Sequence, residues 1–170
     1  MTYGQSNNDI LNKNNVKDLV KGLLLFDNNI SYTIEVSRIA TYGYDQRFEC
    51  FGENGYISVE NIHDTSIKTC NSDGIKYDNY KYSFPQRFED AFRNELNEFR
   101  DVLLGIKSPF LSCLDALRAT QISEACRLSM NNNIGVSIKY DNTNDSYCTY
   151  FADNNVQLYP FWHENEYNYK

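Results

Sequence analysis

A chain of 170 residues and 19.8 kDa has the size of one domain with a core of its own. Its formal net charge of −7, with 16 Lys and Arg against 23 Asp and Glu and no basic stripe, argues against nucleic acid or an anionic membrane as a partner. No apolar run approaches the roughly 20 residues that a membrane-spanning helix needs.

The first 15 residues are polar and Asn-rich, without the apolar segment of a leader, and read as a flexible lead-in to a soluble, cytoplasmic protein. Residues 16–26 carry the apolar run Leu23-Leu24-Leu25-Phe26 and close on Asp27-Asn28-Asn29, which predicts a strand and a turn. Residues 30–38 alternate Tyr32, Ile34 and Val36 against Ser31, Thr33, Glu35 and Ser37, the period of a half-buried strand. A polar, aromatic segment with Tyr42-Gly43-Tyr44-Asp45 crosses to a second alternation at Phe48 and Cys50. Asn54-Gly55 then turns the chain into Tyr56, Ile57 and Val59, so three consecutive antiparallel strands are expected. Short strands at residues 67–70 and 75–82 flank Asn71-Ser72-Asp73-Gly74.

Ser83 followed by Gln86, with Pro85 between, is a capping-box pattern that opens a helix with the stripe Phe88, Ala91, Phe92, Leu96, Phe99, Val102 and Leu103. Ser112 and Asp115 repeat the pattern before Leu114, Leu117, Gln121, Ala125 and Leu128. Both helices are expected to lay their stripes on one face of the sheet. A last strand is expected at 134–140. The acidic, aromatic stretch 141–170 reads as an extension with one edge strand at Val156-Gln157-Leu158-Tyr159, ended by Pro160. The 22 asparagines cluster where turns are expected. Five cysteines, Cys50, Cys70, Cys113, Cys126 and Cys148, form no C-x-x-C pair and read as buried free thiols, with no metal site.

The run S-R-I-A-T-Y-G-Y-D-Q-R-F-E-C-F-G over residues 37–52, followed by R-F-E-D-A-F-R-N-E-L over residues 87–96, resembles the C-terminal half of myo-inositol 2-dehydrogenases of the Gfo/Idh/MocA family. The resemblance covers roughly residues 18–136. It implies an α+β fold: an open, mostly antiparallel sheet with two helices packed on one face, like the C-terminal domains of dihydrodipicolinate reductase and glyceraldehyde-3-phosphate dehydrogenase, truncated at its start. Between the lead-in 1–15 and the extension 141–170, it implies a substrate and oligomerisation domain over 16–140. It also implies that the sheet's uncovered face packs on another subunit, giving a homo-oligomer or an assembly with a full-length paralogue.

Complete relatives move a hydride between NAD(P) and a sugar or cyclitol, using a G-x-G-x-x-G turn, a Glu-Lys-Pro motif and an Asp-x-x-x-His pair. None is present. Lys107 precedes Ser-Pro without the Glu, Val59 stands four residues before His63, and Tyr159 stands four before His163. The expectation is therefore no catalytic residue and no cofactor site in this chain, because it is a relic, because it is a non-catalytic partner of a full-length paralogue, or because the reading frame is incomplete. What the resemblance retains is a wall for a sugar or cyclitol, with Tyr42, Tyr44, Asp45 and Arg47 as its substrate-binding residues. One departure is Phe92, where relatives often carry tyrosine.

Overall fold

The computed structural model describes residues 1–6, 8–14, 16–140, 148–152 and 157–158. In chain order the elements are β1 (Thr2–Gln5), α1 (Asp9–Lys13), β2 (Leu19–Leu25), β3 (Ser31–Ser37), β4 (Phe48–Gly52), β5 (Gly55–Val59), β6 (Lys68–Asn71), β7 (Gly74–Tyr77), α2 (Phe84–Arg87), α3 (Glu89–Leu103), α4 (Cys113–Asn132), β8 (Val136–Tyr140), β9 (Cys148–Ala152) and β10 (Gln157–Leu158). Every strand pairing among them is antiparallel. The fold is α+β, built on small antiparallel sheets. Two compact units form, one from Met1–Arg38 with Phe110–Lys170 and one from Ile39–Pro109.

The first unit holds two three-stranded sheets, β1-β2-β3 and β10-β9-β8, and helix α4. The hairpin expected at its start is present, with Leu19 opposite Ser37 and Leu25 opposite Ser31, and Asn29 takes the left-handed conformation the turn requires (φ 62°). The first residues correct the lead-in reading: Thr2–Gln5 add β1 to the edge of β2, and Asn8 caps the short α1. Four residues of strand are too few to show a period, which is why β1 was not visible in the sequence.

Helix α4 starts as its sequence dictates. Ser112 accepts the Asp115 N–H at 3.3 Å, and Asp115 accepts the Ser112 N–H at 2.7 Å, a complete capping box. It ends at Asn133 in the left-handed conformation (φ 54°). Its buried face is Gln121, Glu124, Ala125, Leu128 and Ser129. Ala125 and Leu128 meet Tyr150, Val136, Ile138 and Cys148 of the β8–β9 face, forming the core of the unit. Full burial of side chains such as Leu128 stabilises by about 1.5–3 kcal/mol each. Glu124 is buried at that face and holds the Arg127 guanidinium through two bonds of 2.6 and 2.8 Å.

The second unit comprises the hairpins β4–β5 and β6–β7 with α2 and α3. Strand β4 pairs with β5 and not with β3, so the three consecutive strands expected are a hairpin and a separate sheet, divided by the crossing segment 39–47. The turn is also displaced by one residue. Gly52 faces Gly55, so Glu53 and Asn54 are the two turn residues, and the positive φ falls on Gly55 alone (154°). Ser83 makes no side-chain cap bond to the backbone; its hydroxyl donates to the Gln86 side chain instead, and the helix is interrupted at Phe88. Helix α3 has no buried residue: Phe92, Leu96, Phe99 and Leu103 are all exposed, at 43–70%. Three of the cysteines, Cys50, Cys70 and Cys113, are likewise exposed rather than buried, since Cys50 and Cys70 stand on two-stranded hairpins with no layer above them.

Candidate functional site

The crossing segment between β3 and β4 carries all four residues that the sequence singled out. Its path depends on Gly43, which has φ +132° and lies against the next segment of the unit. A Cβ there would stand 2.9 Å from Tyr80 Cβ and 3.2 Å from the Lys81 carbonyl oxygen. Only glycine fits, and this close approach lets the Tyr44 N–H donate to that same carbonyl at 2.9 Å.

Asp45 is the hub. Its carboxylate accepts from the Tyr42 hydroxyl, from Arg47 Nε at 2.8 Å and Nη2 at 3.0 Å, and from Asn61 Nδ2 at 2.7 Å. The side chain is 15% exposed. Arg47, with help from Tyr42 and Asn61, holds its pKa down at about 2 against the cost of burial. The same bond to Asp45 raises the Tyr42 phenol, because an ionised phenolate could not donate it.

Asn61 was not foreseen, although a signal existed. Phe48 faces Val59 in the β4–β5 ladder, and continuing that register sets Arg47 opposite Glu60 and Gln46 opposite Asn61. The Asn61 side chain then works in two directions, accepting the Gln46 N–H at 2.9 Å while donating to Asp45. Tyr44 turns its ring edge-on to Phe88, with centroids 5.6 Å apart. Arg87 lies beside the same Phe88, its guanidinium carbon 5.3 Å from the ring centre, and Nη2 donates to the Glu60 carbonyl at 3.3 Å.

The structure thus brings Tyr42, Asp45 and Arg47 into one hydrogen-bonded set, with Tyr44 on the neighbouring Phe88. Asp45 has its oxygens engaged by its own chain. Tyr42 and Arg47 stay exposed beside it, and Tyr44 is half-buried. His63 is packed between Tyr77 and Tyr80, with centroids 5.5 and 4.6 Å away, and its Nδ1 is 2.5 Å from the Asp78 carbonyl oxygen. His163 lies outside the described residues. A groove of about 250 Å³ in the first unit, lined by residues such as Leu25, Ile122, Cys126 and Ile138, includes none of the four candidate residues.

The pattern of the oxidoreductase family's C-terminal alpha/beta domain matches residues 1–138. The chain belongs to the Gfo/Idh/MocA oxidoreductase family. The myo-inositol 2-dehydrogenase of Thermotoga maritima is 30% identical over 117 residues, which are 69% of this chain and 35% of that protein. The myo-inositol dehydrogenase of Corynebacterium glutamicum superposes with a TM-score of 0.73 at 25% identity, over 78% of this chain and 40% of that one. A scyllo-inositol dehydrogenase of Lactobacillus casei, solved with NAD(H) and scyllo-inositol bound, shares the fold at a TM-score of 0.72 and 21% identity, over 78% of this chain and 39% of that one. The chain spans about a third of the length of the curated relatives it matches.

Among the described residues of this Gfo/Idh/MocA domain, Gly52, Gly55, Gly74 and Gly105 do not form the glycine turn that a dinucleotide's phosphates require. A pyrophosphate needs a glycine turn leading from a strand into a helix N-terminus. Here Gly52 and Gly55 face each other across the β4–β5 turn, Gly74 begins β7, and Gly105 follows the end of α3. Among the described residues no three of His, Cys, Asp and Glu are grouped to hold a metal, and no helix is long and apolar enough to cross a membrane.

Proposed function

We propose that this chain supplies the substrate wall and an assembly surface of an inositol 2-dehydrogenase-like, NAD(P)-dependent oxidoreductase, and that it carries out no hydride transfer alone. The observation that carries this reading is the set Tyr42–Asp45–Arg47–Asn61. It is a rigid cluster on the Y-G-Y-D-Q-R segment, with phenol and guanidinium groups directed at polyol chemistry and no acid or base among them positioned to take a proton from a hydroxyl. The ligand class is a sugar or cyclitol, met by Tyr42, Tyr44 and Arg47, with Asp45 holding them in place.

The assembly part rests on exposed apolar surface. On β4–β5, the row Phe48, Cys50, Ile57 and Val59 shares one face, and all four residues are exposed. That row favours a partner, either a second copy or a full-length paralogue of the family. Calorimetric titration of the chain with NAD should give no heat above dilution, while myo-inositol should perturb the Tyr42 and Tyr44 ring signals in an NMR titration. Light scattering of the chain, alone and mixed with a full-length inositol 2-dehydrogenase, should show a mass above the monomer. Saturable NAD binding, or a strictly monomeric chain in both samples, would overturn the corresponding half of the proposal.

A further inference from the structure

Arg87 stands apart from the other arginines of its unit. Arg47 grips Asp45, Arg93 grips Glu89 and Asp90, and Arg100 grips Asp101, each with a nitrogen within 3.0 Å of a carboxylate. Arg87 has no carboxylate within 4.0 Å among the described residues, although the chain as a whole is acidic. It is half-buried, Phe88 covers its guanidinium, and of its five donor hydrogens one is used, on the Glu60 carbonyl at 3.3 Å. Its Nε is shut off from solvent and meets no acceptor. A partly buried cation with neither a counter-charge nor a full set of acceptors is costly, and such a group calls for an explanation in the molecule's chemistry.

We infer that Arg87 is an oxyanion-binding residue: packing on Phe88 holds its guanidinium without a carboxylate so that its terminal nitrogens receive an acidic oxygen of a small ligand. The location defines the rest of that ligand. Phe88 is shared with Tyr44, and the carbonyl that Arg87 holds belongs to Glu60, the residue before Asn61 of the Asp45 cluster. A polyol against Tyr42 and Tyr44 would therefore carry its acidic group, a carboxylate or a phosphate ester, toward Arg87. This deepens the proposed substrate wall by naming an acidic polyol as the ligand it holds more tightly than a neutral one, and it rests on that reading for everything except the oxyanion itself. Guanidinium suits the role, because it stays charged and presents parallel donors to a planar or tetrahedral anion.

The test is an NMR titration of the full chain, following the Arg87 Nε–H signal and the Tyr42 and Tyr44 rings. Three probes are used: inorganic phosphate, glucuronate and glucose. Phosphate and glucuronate should shift Arg87 saturably and glucose should not, with glucuronate at least tenfold tighter than phosphate because its hydroxyls also meet the tyrosines. Arg87→Gln, with its fold checked by the amide spectrum, should weaken glucuronate at least tenfold. Arg87→Lys should lose less, since it keeps the charge and gives up only the parallel donors. Phosphate at Arg87 with glucuronate no tighter would leave the oxyanion site standing and overturn the substrate wall. Glucose and glucuronate binding equally at the tyrosines, unchanged by Arg87→Gln, would overturn the role of Arg87 and leave the wall intact.

Discussion

The backbone N–H of Thr2 donates to the hydroxyl of Ser129 at 2.8 Å, joining residues 127 positions apart. Ser129 in turn donates its hydroxyl hydrogen bond to the Ile134 carbonyl at 2.6 Å, so one buried side chain ties β1, the end of α4 and the lead into β8. Ser129→Ala leaves the Thr2 N–H buried without its acceptor. The expected loss is about 1–3 kcal/mol of unfolding free energy, measured by urea denaturation. A variant as stable as the parent would mean that the Thr2–Ser129 bond contributes nothing to the first unit.

Gly43→Ala combines a strained backbone angle with a clash against Tyr80 and Lys81. Together these should cost about 2–4 kcal/mol and release the Tyr42–Arg47 segment, seen as new chemical shifts for Tyr42, Tyr44 and Asn61. Gly52→Ala is the control: its Cβ meets only the Gly55 carbonyl, at 3.9 Å, and the segment should keep its place.

Asp45 makes the second unit sensitive to acid. Its pKa is lowered to about 2 in the fold, against the 3.8 of an ordinary aspartate carboxyl. A carboxylate whose folded pKa is depressed contributes stability that is complete above the unfolded value and disappears as pH falls through the folded one. Stability should therefore decline between about pH 4 and pH 2, and the share due to Asp45 is on the order of 1–2 kcal/mol. Asp45→Asn should be less stable at pH 7 and flatter across that window in denaturation curves.

The two serine caps should behave differently, although their sequences look alike. Ser112→Ala breaks a complete box with Asp115 and should cost about 1 kcal/mol. Ser83→Ala removes a hydroxyl that caps no backbone group and should fall within about 0.5 kcal/mol of the parent in the same assay.

A charge on the exposed hairpin row separates assembly from stability. Ile57→Glu, at a side chain 66% exposed, should leave the unfolding midpoint almost unchanged. It should shift the light-scattering mass of any oligomer toward the monomer.

The sequence was most readable where local chemistry decides the outcome. The β2–β3 hairpin, the capping box of α4 and the left-handed Asn29 and Asn133 follow from alternation, cap residues and turn residues. It was least readable where partners are distant. The stripe read from α4 reached Gln121, Ala125 and Leu128 of its buried face but not the polar Glu124 and Ser129, and β1 depends on Ser129 at the far end of the chain. At the candidate site the resemblance supplied Tyr42, Tyr44, Asp45 and Arg47. Their neighbours Asn61 and Arg87 enter only through strand register and ring contacts.

Because Ile39–Pro109 interrupts the first unit, the ribosome delivers that unit in two instalments. The hairpins β4–β5 and β6–β7 close over two-residue turns and can form as soon as they emerge, whereas β1 must wait for Ser129. At about 5–20 residues per second, the nascent β1-β2-β3 sheet stays uncapped for roughly 5–20 seconds. That interval is when a chaperone, or a neighbouring nascent chain, has access to Thr2, which is buried once Ser129 receives its N–H.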